Sequence, residues 1–133
     1  MNATDILTAN KRFSDEVKRL SQAAEYRHLQ RTGAGDVYST KLASRNIRAS
    51  LKHRFPGHTF SVRMNGFTEI IVRWEGGPTR DEVHETINAF RAGSYDTHQD
   101  MYIEHRTPWH QVFGSVKHIH LSHSRPARTE PGV

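Results

Sequence analysis

The sequence predicts an α+β fold: a two-layer sandwich in the order α-α-β-β-α-β, with helices over one face of a small, mainly antiparallel sheet. Three observations carry this. Residues 4–31 and 40–54 repeat apolar side chains at three- and four-residue spacing, the period of a helix face. Residues 59–64 and 68–74 alternate apolar and polar side chains, the period of a half-buried strand. After Gly76-Gly77-Pro78, a capped helical stretch is followed by one more alternating run at residues 115–121.

In the first helix, Phe13, Val17, Leu20 and Ala24 form a narrow apolar stripe, while Arg12, Lys18, Arg19, Arg27 and Arg31 crowd the other sides. Ser14-Asp15-Glu16 is a helix-start signature, so a break is expected near residues 11–13. A helix with so thin a stripe either lies across the domain or packs on a second copy of itself. Residues 31–36, Arg-Thr-Gly-Ala-Gly-Asp, read as a linker. The second helix spans residues 40–54 with Ser39 or Thr40 as cap, and Ala43, Ile47 and Leu51 are its core face.

Phe55-Pro56-Gly57 ends that helix, and the hairpin follows. A two-residue Asn65-Gly66 loop would bring Glu69 and Arg73 onto the apolar face. A loop of three or five residues instead aligns Phe60, Val62, Ile70, Val72 and Trp74, so the longer loop is expected: a one-residue slip would turn every side chain over. Thr79 and Glu82 make a capping box for a helix over residues 79–91, with Val83, Ile87 and Phe90 buried. Residues 92–114 are polar and aromatic without a clean period, and read as a long loop. In the last strand Ile119 and Leu121 take one face, His118 and His120 the other. The domain organisation is thus a basic N-terminal helix and linker at 1–36, the α+β domain at 37–123, and a disordered Pro-rich tail at 124–133.

Composition narrows the function classes. The chain has 133 residues, 35% of them hydrophobic, a mean hydropathy of -0.76 and no cysteine, which removes disulfides, thiolate metal sites and thiol nucleophiles. No apolar run approaches the ~18 residues of a membrane span, and the N-terminus lacks the cationic start and apolar core of a signal peptide. A cytoplasmic protein with no membrane partner is expected. The formal charge of +5 is uneven: residues 1–54 hold 11 basic and 5 acidic side chains, residues 55–104 hold 4 and 8. That contrast points to two surfaces with different partners.

The basic half carries the main binding candidate. Lys41, Arg45, Arg48 and Lys52 fall at i, i+4, i+7 and i+11 of the second helix, one cationic line of the kind that follows a phosphate backbone. Arg54, Arg63 and Arg73 extend the set, and Trp109 is its aromatic for partner contact or base stacking, or else a core plug. The metal candidates are His118, His120 and His123, since histidines two apart on a strand point the same way and neutral imidazoles ligate zinc, nickel or iron. Asp96, Asp100 and Glu104 beside Tyr95 and Tyr102 read as an anchored loop with capped turns rather than an acid–base site, because no nucleophile accompanies them. The Gly-Gly-Pro turn reads as structural: Pro78 deletes a donor, and Glu75, Asp81 and Glu82 repel a phosphate.

The run from Leu42 to Tyr102 resembles the large polyvalent protein-associated domain 29 family of phage and plasmid proteins. The resemblance rests on Leu51-Lys52, Phe55-Pro56-Gly57, Phe60-Ser61-Val62-Arg63, the Trp74 to Thr79 turn, and Asp96, Asp100 and Tyr102. It implies a domain of long multi-domain proteins of mobile elements, acting against host defences or on incoming DNA. It implies no catalytic residue and no cofactor. The expected function is a small non-enzymatic effector that binds nucleic acid or a nucleic-acid-bound host defence complex, as an anti-CRISPR-like inhibitor does. The alternatives are a metal-dependent hydrolase or nuclease using the C-terminal histidines, and an interaction module that homodimerises through its first helix.

Overall fold

The computed structural model describes residues 3–32 and 39–124 and, for residues 94–96, the backbone alone. Residues 33–38, which hold most of the linker expected at 31–36, and the tail from 125 onward lie outside the described residues, and with them the expectations made there. The helices are α1 (Ala3–Gln22), α2 (Thr40–Arg54), α3 (Arg80–Ile87) and α4 (Pro108–Phe113). The strands are β1 (Phe60–Asn65), β2 (Glu69–Glu75), β3 (Gly93–Asp96), β4 (Met101–Glu104) and β5 (His118–Ser124).

The fold class is α+β. Its main sheet has the order β1-β2-β5 and is mixed: β1 pairs antiparallel with β2, and β5 joins β2 in parallel. The parallel edge follows from the path of the chain, which leaves β2 through α3 and returns along the same direction. Register in the hairpin obeys the apolar pattern rather than the Asn-Gly dipeptide. Phe60 pairs with Trp74, Val62 with Val72 and Asn65 with Glu69, leaving the three-residue loop Gly66-Phe67-Thr68. Val62, Ile70, Val72, Ile119 and Leu121 therefore share the covered face.

α2 is the helix that organises this core. Ser39 Oγ accepts the Leu42 amide at its start, and Ala43, Ile47 and Leu51 are fully buried. α1 differs from expectation in two ways. It runs unbroken through residues 11–13, because Asp15 and Glu16 continue a helix as readily as they begin one, and it ends at Gln22 rather than Arg31. Arg31 ends it from outside, donating to the carbonyls of Ser21 and Ala23, and Ala24 falls in an exposed 3-10 turn, Ala24–Tyr26. Leu20 and Leu29 join the same core as α2 and the sheet.

The segment read as a long loop is folded. It holds the antiparallel β3–β4 hairpin and then α4, whose Thr107 cap accepts the His110 amide. Tyr102 Oη donates to Lys117 O at 2.7 Å, and the Lys117 ammonium lies 4.9 Å from the Tyr102 ring centre, so the hairpin is fastened to the body of the protein. Asp100 stands at φ 51 in the turn between its strands. Among the described residues no helix is long and apolar enough to cross a membrane.

Candidate nucleic-acid interface

The cationic line of α2 is built by the burial of its other faces. With Leu42, Ala43, Asn46, Ile47, Ser50 and Leu51 turned inward, Lys41, Arg45, Arg48 and Lys52 are all left exposed. Three contacts fix how the helix lies. Thr40 Oγ1 donates to Phe67 O at 2.6 Å, Arg48 Nη2 donates to Val62 O, and Lys52 shares a cleft of about 310 Å³ with Gly57, His58, Thr59 and Phe60. The helix therefore runs alongside β1 in the opposite direction, from the hairpin tip to the turn that precedes β1. As β1 is the edge strand of its sheet, the cations follow an open sheet edge.

Those charges are largely unspent. Among the described residues, no carboxylate lies within 4.0 Å of Lys41, Arg45, Arg48 or Lys52, and Arg45 reaches only Gln30 Oε1 at 3.5 Å. The other basic side chains divide differently. Arg19 is held by Glu16 at 2.5 Å, and Arg31 is consumed in ending α1. Arg54 is turned to α3, donating to Thr86 Oγ1 at 2.6 Å and to Glu82 O at 3.2 Å, with Glu85 3.9 Å away.

Arg63 and Arg73 stand on the opposite, uncovered face of the sheet, beside Ser61, Ile71, His120 and Ser122. They do not share a face with the α2 line. The His58 turn lies between the two sets, because Gly57, His58 and Thr59 also line a second, open groove with Ser61, Arg73, Glu75 and Ser122. The sequence-derived set is thus one band along the β1 edge, which Arg73 extends around the turn, with Arg54 outside it.

Trp109 is far from this band in function. Half-buried, it packs edge-on to Tyr26 at 5.0 Å and against Phe113 at 4.5 Å and Phe90 at 5.4 Å, as a core plug. Its Nε1 is buried without an acceptor among the described residues. The ring also lines an open groove with Tyr26, His28, His53 and Arg54, so it packs on the core while part of it stays accessible.

The three histidines do not converge either. His118 and His120 are exposed on the open face, whereas His123 lies on the other, stacked on Trp74 at 4.6 Å and donating from Nε2 to Gly76 O at 2.8 Å. Odd and even positions of a strand face opposite ways, so the third imidazole cannot join the first two. Among the described residues no group of three or more His, Cys, Asp or Glu side chains is placed to hold a metal. The Gly-Gly-Pro turn is likewise occupied by its own structure: Trp74 Nε1 donates to Pro78 O at 2.9 Å, and the Thr79–Glu82 capping box is complete.

Fold and surface together define a small α+β module whose basic helix, along an edge strand, has no carboxylate partner among the described residues. The chain belongs to the large polyvalent protein associated domain 29 family, whose sequence pattern matches residues 38–126. That family is associated with polyvalent proteins of phages and mobile elements. No curated protein and no solved structure matches the chain.

Proposed function

We propose that this domain is a binding module of a mobile element that engages nucleic acid, free or within a host defence complex, through the α2–β1 edge. The observation that carries this is the line Lys41, Arg45, Arg48, Lys52, exposed, regularly spaced and without a carboxylate partner among the described residues. At about 1.5 Å per residue the line is about 16 Å long, enough to follow a few successive phosphates. An acidic peptide adding to β1 as a further strand fits less well, since Arg48 already occupies the Val62 carbonyl on that edge. The family's setting in phage and mobile-element proteins is what supports an anti-defence role for such binding.

The test is anisotropy of labelled oligonucleotides across a salt series. Affinity should fall with a log–log slope of about -0.9 per neutralised phosphate on duplex DNA and about -0.7 on single strands. Lys41→Glu, Arg45→Glu and Lys52→Glu together should cut both affinity and slope, with Arg48 kept because it ties α2 to β1. Unchanged binding in that variant would make the line a solvated face only. A pull-down from host lysate with and without nuclease separates free nucleic acid from a protein-bound target.

A second reading concerns self-association. Ile6 and Leu7 are 48% and 68% exposed in the first half of α1, where every described side chain up to Arg12 faces solvent. Pairing of two such helices would cover them. A mass by light scattering that stays monomeric at high concentration would remove this reading.

A further inference from the structure

Phe67 is 86% exposed, the most exposed of the large hydrophobic side chains among the described residues. Apolar rings left in water at a loop tip are commonly carried on mobile backbone, but this one is not. Thr40 Oγ1 donates to Phe67 O at 2.6 Å, the His118 amide donates to Thr68 O at 2.9 Å, and Asn65 Nδ2 donates to Glu69 Oε1 at 3.1 Å. The hairpin tip is pinned to α2 on one side and to β5 on the other, with the phenyl ring held outward from fixed backbone.

Cations flank it, while Glu69, held by Asn65, stands at the base of the tip. Lys41, the first cation of the α2 line, follows Thr40 directly. Thr40 also lines a small cleft of about 170 Å³ with Arg106 and Lys117, and Glu104 is the one carboxylate among the described residues on its wall. The ring thus stands where the basic line of α2 meets a second basic cleft. A pre-set aromatic face among cations that track a backbone is what an unpaired base needs: the phosphates are held by charge while the base stacks on the ring. A duplex keeps its bases inside and offers this ring nothing but sugar and phosphate edges.

We infer that the ligand of the α2–β1 edge is single-stranded nucleic acid, with Phe67 as the platform on which one base stacks. This rests on the reading of the edge as a nucleic-acid interface, and the experiment separates the two. Fluorescein-labelled oligothymidine, oligouridine and a duplex of equal length are titrated with the whole chain, wild type and variants, by anisotropy. Phe67→Ala should weaken both single-stranded probes by about 5- to 100-fold, the range of one lost stacking contact, with the salt slope unchanged and duplex binding altered less than twofold. Phe67→Trp should restore single-strand affinity, and its indole fluorescence should be quenched on binding.

The two single-stranded probes separate DNA from RNA as the source of the base. If Phe67→Ala binds oligothymidine and oligouridine as wild type does while the triple charge reversal does not, the stacking proposal falls and the electrostatic reading stands. Equal losses on single strand and duplex would overturn the single-strand assignment. If wild type binds none of the probes, both readings fall; the exposed tip would then serve a protein partner.

Discussion

Asn46 shows how one buried polar residue ties together segments that local pattern keeps apart. Only 1% exposed in the middle of α2, it donates from Nδ2 to Gln30 O at 2.7 Å and to Phe113 O at 2.9 Å, and its Oδ1 accepts the Gln30 amide at 2.7 Å. The segment after α1 and the end of α4 are thus bound to α2 through one side chain. Asn46→Ala leaves two carbonyls and an amide without their side-chain partner at a largely buried site, and should cost about 2–4 kcal/mol of unfolding free energy. A urea titration checks this, and a loss under 1 kcal/mol would mean that water replaces the amide. Nothing in the sequence marks Asn46 for this role, since a polar residue between Arg45 and Ile47 reads as surface. The same blindness applies to Phe67: an aromatic beside Asn-Gly reads only as part of a turn until the backbone bonds that pin it are seen.

At the scale of elements, legibility followed the strength of local signals. α2 was readable to its ends because a Ser39 cap, an Ala43–Ile47–Leu51 stripe and a Phe-Pro-Gly stop agree. The hairpin register was readable because only one loop length buries Val62 and Val72 together. Residues 92–114 were not, since the β3–β4 hairpin is fastened by a distant contact, Tyr102 to Lys117, and α4 has six residues, too few to show a period. Nor does any local pattern say that β5 joins β2 in parallel. The cationic line was legible from spacing, whereas its division from Arg63 and Arg73 depends on which sheet face α2 covers. The turn after β2 gives the prediction at this scale. Gly76 and Gly77 lie at φ 58 and φ 61, and a Cβ on Gly77 would come within 2.8 Å of His58 Nδ1. Gly77→Ala should therefore cost about 1–2 kcal/mol for the left-handed backbone. It should also displace His58, which lines both grooves. Thermal melts measure the first effect and the His58 ring resonances the second; an unchanged melt with unshifted resonances would refute both.

For the molecule as a whole, the histidines make acidity a variable that acts on stability, and ten are present. Two of them hold structural places as neutral rings. His110 is buried, with Nδ1 accepting the Thr107 amide at 3.1 Å and Nε2 donating to Arg91 O at 3.1 Å, so a second ring proton would face an N–H. Burial holds its pKa below the ordinary histidine value. His28 is shifted down in the same way by burial and by His53, on which it stacks at 4.0 Å, with Glu25 and Arg54 on the walls of the same groove. A histidine whose folded pKa is depressed binds more protons when unfolded. Its stabilisation is therefore complete above about pH 6.5 and is lost as pH falls through the folded value. Glu16 and Glu82, held below the usual carboxylate range by Arg19 and by Thr79 respectively, act in the same direction in a more acidic window, below 4.5. The urea midpoint should thus be level between pH 8 and 7 and drop between 6.5 and 5, above the window of Glu16 and Glu82. His110→Gln, which removes the ring proton altogether, should flatten much of that first step at some cost in stability at neutral pH. A midpoint that stays level down to pH 5, or climbs, would overturn the assignment of His110 and His28 as neutral structural rings.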